Sequence, residues 1–130
     1  MLNAKERKSL HALILKTEAE VATEVHLAFY KTSDDPDVLA VAKAYFVKHK
    51  LDKNVHHNAV LIYLLEKDRK FAIVGGEGIH QKVSANYWDE LSLKLSEQFK
   101  QGNFYQGLVD CITQLKNDIQ RHYPKGISEK

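Results

Sequence analysis

Ala59-Val60-Leu61-Ile62-Tyr63-Leu64-Leu65 is an unbroken apolar run, preceded by Asn58 and followed by the charged Glu66-Lys67-Asp68-Arg69. It is too short for a buried helix and rich in strand-forming residues, so it reads as a strand covered on both faces, at the centre of a sheet. Downstream, Glu66 to Arg69 is a tight connection, and Phe71-Ala72-Ile73-Val74 is the returning arm of a hairpin, antiparallel to the first. Upstream, Val25, Leu27 and Phe29 alternate with His26, Ala28 and Tyr30, the period-two pattern of a strand at an edge. Between these two strands Asp35 and Pro36 read as N-cap and first residue of a helix. Val38, Leu39, Ala42, Tyr45 and Phe46 are its buried stripe, and it ends near His49 to Leu51. A helix joining two strands makes them parallel through a right-handed crossover.

Three further helices flank this core. Leu10, Leu13, Ile14, Thr17 and Val21 recur at helical spacing from Asn3 to about Ala22. Trp88, Leu91, Leu95 and Phe99 do so from Asn86 to Gln101, with Gly102 as C-cap. Leu108, Ile112, Leu115 and Ile119 form the seam of the last helix, opened by Asn103 and Gln106 in a capping-box-like pair and stopped by Tyr123 and Pro124. Gly75, Gly76 and Gly78 interrupt regular structure. The expected architecture is α/β, a three-layer α/β/α sandwich with a small mixed sheet. Residues 1–124 make one domain, and residues 125–130 a frayed tail.

Composition sets outer limits. The chain has 130 residues, 44% hydrophobic and 28% charged, with 19 basic against 17 acidic residues and a net charge of +2. That balance points away from nucleic acid as partner and leaves a protein partner open. The single cysteine, Cys111, excludes an intramolecular disulfide and a cysteine-rich zinc site. No signal-peptide pattern opens the sequence and no apolar run approaches a membrane span, so a cytoplasmic location without membrane insertion is expected.

The strand directions put the start of the first strand (Thr23, Glu24), the start of the second (His57, Asn58) and the end of the third (Gly75, Gly76, Glu77) at one rim. The helix carrying Asp89 follows after a short loop. Small α/β domains commonly build sites at such a rim. Glu18 and Glu24 before a strand, Asn58 leading NAVLIYLL, the block DRKFAIVGGEGI (68–79), Tyr87-Trp88-Asp89, Phe99 to Leu108 and the closing Tyr123-Pro124 together resemble the TPM domain family, from about Glu18 to Pro124. The resemblance implies an α/β/α sandwich, binding of divalent cations, especially calcium, and in some members acid phosphatase activity. It assigns Glu24, Asn58, Glu77 and Asp89 as metal ligands, for Ca²⁺ or Mg²⁺. Relatives commonly carry Gly-Asp where this chain has Gly75-Gly76, and Thr-Ser-Gly where it has Val21-Ala22-Thr23. One oxygen donor is thereby removed, and an aspartate at Gly76 is expected to raise cation affinity.

Each candidate also has a structural reading. Asp89, three residues after Asn86, suits capping of its own helix. Glu24 and Glu77 suit solvated strand-end carboxylates, and Asn58 suits satisfaction of loop backbone. His56 and His57 point apart in an extended chain; His26 shares a strand face with Glu24. Asp35-Pro36-Asp37 resembles an aspartyl nucleophile pair, but Leu39 stands where threonine or valine is needed, and a helix start explains all three residues. Cys111 has Asn117 instead of arginine six residues on and reads as a small buried side chain. No GxGxxG, Walker loop or GxSxG occurs. Two functions follow: a binding or regulatory module holding a divalent cation at the rim, or a weak metal-assisted phosphatase acting on phosphomonoesters.

Overall fold

In the computed structural model, residues 2–123 are described; the expected tail at 125–130 and the stop at Pro124 lie outside them. The elements run α1 (Ala4–Glu20), β1 (Val25–Tyr30), α2 (Val38–Lys48), a 3-10 turn (Leu51–Lys53), β2 (Val60–Leu65), β3 (Lys70–Gly75), α3 (Glu77–Lys82), α4 (Tyr87–Lys100) and α5 (Phe104–Gln120). The fold is α/β, with one three-stranded mixed sheet in the order β1-β2-β3. β1 and β2 are parallel, with Val25 opposite Val60 and Tyr30 opposite Leu65. β2 and β3 are antiparallel, with Val60 opposite Gly75. The apolar run therefore lies at the centre, and every residue from Val60 to Leu65 is buried.

The chain divides into two compact units, one formed by the segments up to Ala22 and from Ala85 onward, the other by Thr23–Ser84. In the second unit α2 lies over one sheet face. Ala42 and Phe46 pack there with Leu51, Ala28, Leu61, Tyr63, Leu65 and Ala72. Leu61, Tyr63 and Leu65 share that face because strand side chains alternate. Tyr30 stacks on Tyr63 at a 5.3 Å ring separation and meets Tyr45 edge-on at 6.2 Å.

α2 begins later than its sequence suggests. Its N-cap is Asp37, whose side chain accepts from Ala40 N at 3.2 Å, while Asp35 Oδ1 accepts from Asp37 N at 2.9 Å in a turn ahead of the helix. An aspartate in an extended conformation satisfies an orphan helix donor as well as Asp35-Pro36 would, and Asp37 stands two residues nearer the packed residues. Leu39, expected in the buried stripe, is 44% exposed. Val38, Val41 and Tyr45 pack against the same cluster as Ala42 and Phe46, which turns the buried direction toward positions 38, 41 and 45 and leaves Leu39 at the edge of the stripe.

In the first unit α1 buries Leu10, Ile14 and Thr17, whose hydroxyl donates to the Leu13 carbonyl at 2.9 Å. α4 buries Leu91 and Leu95, with Trp88 and Phe99 half-buried. α5 buries Leu108, Cys111, Ile112, Leu115 and Ile119. α1 and α5 are tied by an ion pair between Lys116 and Glu20, which lowers the Glu20 pKa through its hydrogen bond. The Ala22 N–H also donates to the Tyr123 carbonyl at 3.0 Å. Gly102, at φ +80°, ends α4 as expected, since a left-handed residue after a helix is borne most cheaply by glycine. Asn103, expected to cap α5, makes no side-chain cap bond; its amide donates instead to Gln98 Oε1 at 3.2 Å.

α1 opens with a full capping box. Asn3 Oδ1 accepts from Glu6 N at 2.8 Å and Glu6 Oε1 accepts from Asn3 N at 3.1 Å. Two N–H groups without helical partners are thus satisfied. Asn3→Ala is expected to cost about 1 kcal/mol, read as a lower urea midpoint with an unchanged slope; an unchanged midpoint would show that α1 frays there.

Candidate functional site

The strand register brings Glu24, Asn58 and Glu77 to one end of the sheet. Val60 N donates to the Glu24 carbonyl at 2.9 Å, Thr23 Oγ1 to the Asn58 carbonyl at 2.9 Å, and Gly76 N to the Ala59 carbonyl at 2.8 Å. Glu24 is exposed and its Oε2 lies 3.2 Å from His26 Nε2, two residues along the same strand face. Glu77 is exposed at the first residue of α3. Asp89, the fourth expected residue, belongs to the other unit, exposed in the first turn of α4. Asn86 makes no side-chain cap there; its amide reaches Glu90 Oε1 at 3.3 Å.

Asn58 is 0% exposed. Its Oδ1 accepts from Asn54 Nδ2 at 2.8 Å, and its own N–H donates to Asn54 Oδ1 at 3.1 Å. This reciprocal pair fixes the loop entering β2, so the side chain is engaged in structure. The preceding residues are not extended, as the histidine pair suggested. His57 has φ +51° and Lys50 φ +58°, both left-handed. Such non-glycine residues persist only where surrounding contacts hold them. Here the His57 carbonyl accepts from Gly78 N at 2.7 Å and from Ile79 N at 3.4 Å, and so closes the first turn of α3. His57 Nδ1 lies 2.9 Å from the Asp52 carbonyl, and a carbonyl only accepts, so Nδ1 carries the proton.

α3 itself was not legible from Glu77-Gly78, because a glycine near a helix start lowers helix propensity. The explanation is steric. A Cβ on Gly76 would lie 2.4 Å from the His57 oxygen, and one on Gly78 2.2 Å from the His56 oxygen. Both obstacles are backbone. The glycine at 76 is thus where the loop and α3 meet without room for a side chain. The expectation that aspartate there adds a metal ligand is corrected accordingly: it would break the contact that shapes the rim.

Sequence reading also passed over Asp52. Its Oδ1 is enclosed and has no hydrogen-bond partner among the described residues. Only the buried atom distinguishes it from the other surface aspartates, and no spacing or motif marks it. Among the described residues no group of three or more His, Cys, Asp or Glu side chains is placed to hold a metal. Glu24, Asp52 and Glu77 offer carboxylate oxygens, the donor type that suits hard cations, while His26 and His57 bring ring nitrogens beside Glu24 and the Asp52 carbonyl.

The family model for the TPM domain matches residues 1–118. The chain belongs to the TPM domain family. A solved TPM-fold relative, the BA42 protein of the psychrophilic bacterium Bizionia argentinensis, is 36% identical, with 95% of this chain and 85% of that one aligned at a TM-score of 0.85. The N-terminal domain of cg2496 from Corynebacterium glutamicum shares the fold at 12% identity, a TM-score of 0.67, and coverage of 100% and 79%. An N-terminal domain from P. gingivalis does so at 14% identity, 0.68, and coverage of 98% and 83%. No curated protein is significantly similar. For this TPM domain no helix among the described residues is long and apolar enough to cross a membrane.

Cys111 stands apart from the rim. Burial pushes its thiol up to about 12, so it is protonated at neutral pH and a poor nucleophile. Because the folded value lies above the unfolded one, the stabilisation is full below the ordinary thiol range and is lost as pH rises through it toward the folded value. The urea midpoint is expected to fall between about pH 9 and 11, less steeply in Cys111→Ala; an equal fall in both proteins would assign the effect to tyrosines, among them Tyr87, whose pKa is also raised by burial.

Proposed function

We propose that this TPM domain is a binding module that takes a hard divalent cation, Ca²⁺ or Mg²⁺, at the end of the sheet where β1 and β2 begin and β3 ends. The observation that carries the reading is the enclosed, unpartnered Asp52 Oδ1. A carboxylate oxygen removed from water without a partner costs free energy, and a bound cation supplies the missing interaction. Asp52 is the carboxylate donor of this proposal, and the Asn54–Asn58 pair fixes the loop that follows it; Glu24 and Glu77, which the resemblance names, stand at the same end of the sheet but are not grouped with Asp52 around one point. Water and carbonyl oxygens complete the shell, which makes the affinity modest.

The test is a calcium titration followed by amide NMR. Shifts at Asp52, Asn58, Glu77 and Gly78 are expected, and Asp52→Asn should weaken them. Shifts confined to Asp34, Asp35 and Asp37, or none, would overturn the rim site. The enzymatic alternative is that the cation polarises a phosphoryl oxygen of a phosphomonoester. It requires hydrolysis of p-nitrophenyl phosphate that disappears in Glu77→Gln; hydrolysis that survives belongs to a contaminant.

A further inference from the structure

α4 and α5 enclose between them a partly open cavity of about 230 Å³. Its floor is formed by Leu91, Leu95, Gly107 and Cys111, all buried. The helices approach closely at Gly107, where an added Cβ would lie 2.9 Å from Gln98 Cβ and 3.3 Å from Leu95 Cδ1. The space exceeds the roughly 150 Å³ of an apolar cavity that accepts benzene.

The charges around it are unbalanced. Two lining carboxylates, Glu97 and Asp110, face one ammonium, Lys94, which itself donates to Gln114 Oε1 at 3.4 Å. Among the described residues Asp110 accepts from two neutral amides, Gln106 Nε2 at 2.8 Å and Gln98 Nε2 at 3.4 Å. Amide donors orient a carboxylate but leave its charge uncompensated, so an added cation gains Coulomb energy there. An apolar floor beside an anionic edge fits a molecule with an apolar body and a cationic head. We propose that this cavity binds a small primary organic ammonium ion, its aromatic or alkyl body on the Leu91–Leu95 floor and its ammonium group at Asp110. The site lies wholly within the unit of α1, α4 and α5 and stands independently of the cation site at the sheet rim.

Three probes of one shape separate charge from shape: phenethylammonium, 2-phenylethanol and phenylacetate, each titrated into the full chain and followed by amide NMR. Phenethylammonium should move the amides of Leu91, Leu95, Gly107 and Cys111, with the neutral alcohol weaker and the anion weakest. Asp110 is exposed, so Asp110→Asn keeps the fold; it should weaken the ammonium probe about two- to five-fold and leave the alcohol unchanged. Gly107→Ala, which overfills the floor, should remove binding of both. Equal binding of the anion, an unaltered ammonium affinity in Asp110→Asn, or no shift along α4 and α5 at millimolar probe would overturn the proposal.

Discussion

Gly78→Ala is expected to destabilise the domain by about 3 kcal/mol, at the upper end of the cost of overfilling a packed contact. The new methyl carbon would stand 2.2 Å from the His56 oxygen and 2.9 Å from the His57 oxygen. Neither atom is the end of a side chain that can swing away. Relief requires the loop to move off α3, which forfeits the bonds from Gly78 N and Ile79 N to the His57 carbonyl and the hold on the left-handed His57. Gly76→Ala and Gly76→Asp meet the same carbonyl at 2.4 Å, although Gly76 has φ −66°, a conformation any residue adopts. The penalty at 76 is therefore one of space, not of backbone freedom. Gly102 supplies the contrast: φ is +80° and nothing lies within 4 Å of its Cβ position, so Gly102→Ala should cost only about 1 kcal/mol. Urea unfolding of the four variants decides the matter. Equal midpoints for Gly78→Ala and the parent would mean that loop and helix do not close on each other in solution.

Leu61→Ala should cost about 2–5 kcal/mol, a large share of the 5–15 kcal/mol that stabilises an ordinary domain. Leu61 is 0% exposed and packs on the α2 side of the central strand with Phe46 and Ala42. Its removal loses both transfer free energy and the contacts around the void, and neighbours on a hydrogen-bonded sheet have little freedom to collapse into it. Leu39→Ala is the matched control. At 44% exposure it should change stability by less than about 0.5 kcal/mol. If the two variants lost similar stability, α2 would be rotated relative to the packing described.

Much of the fold was legible because its strongest signals are local and redundant. AVLIYLL has one physical solution in a chain of this size, and the alternation from Val25 to Tyr30 reproduces the observed strand residue for residue. Strand directions followed from what lies between the strands, and these placed Glu24, Asn58 and Glu77 at a common end. Helix starts were less secure, because Asp35 and Asp37 are chemically equivalent caps and only packing chooses Asp37. α3 and the role of Gly76 were hidden for a different reason: both depend on backbone atoms of residues 56 and 57, some twenty positions away, and a close approach leaves no periodic trace. Asp52 was hidden too, since enclosure of a single oxygen is a tertiary fact. The TPM resemblance supplied the rim's chemistry, whereas the state of each side chain came from the structure.

The division of the chain into an uninterrupted segment, Thr23–Ser84, and a unit assembled from both flanking segments has a consequence for the order of folding. The strand pairings and the packing of α2 on the sheet are made within that segment, so they can form while the polypeptide is still being synthesised. α1, made first, must wait for α5, made last, before the Lys116–Glu20 ion pair and the Ala22–Tyr123 bond exist. Its Leu10 and Ile14 stay without their final partners through most of translation. Of α1, α4 and α5, the helix made first is thus the last to be secured.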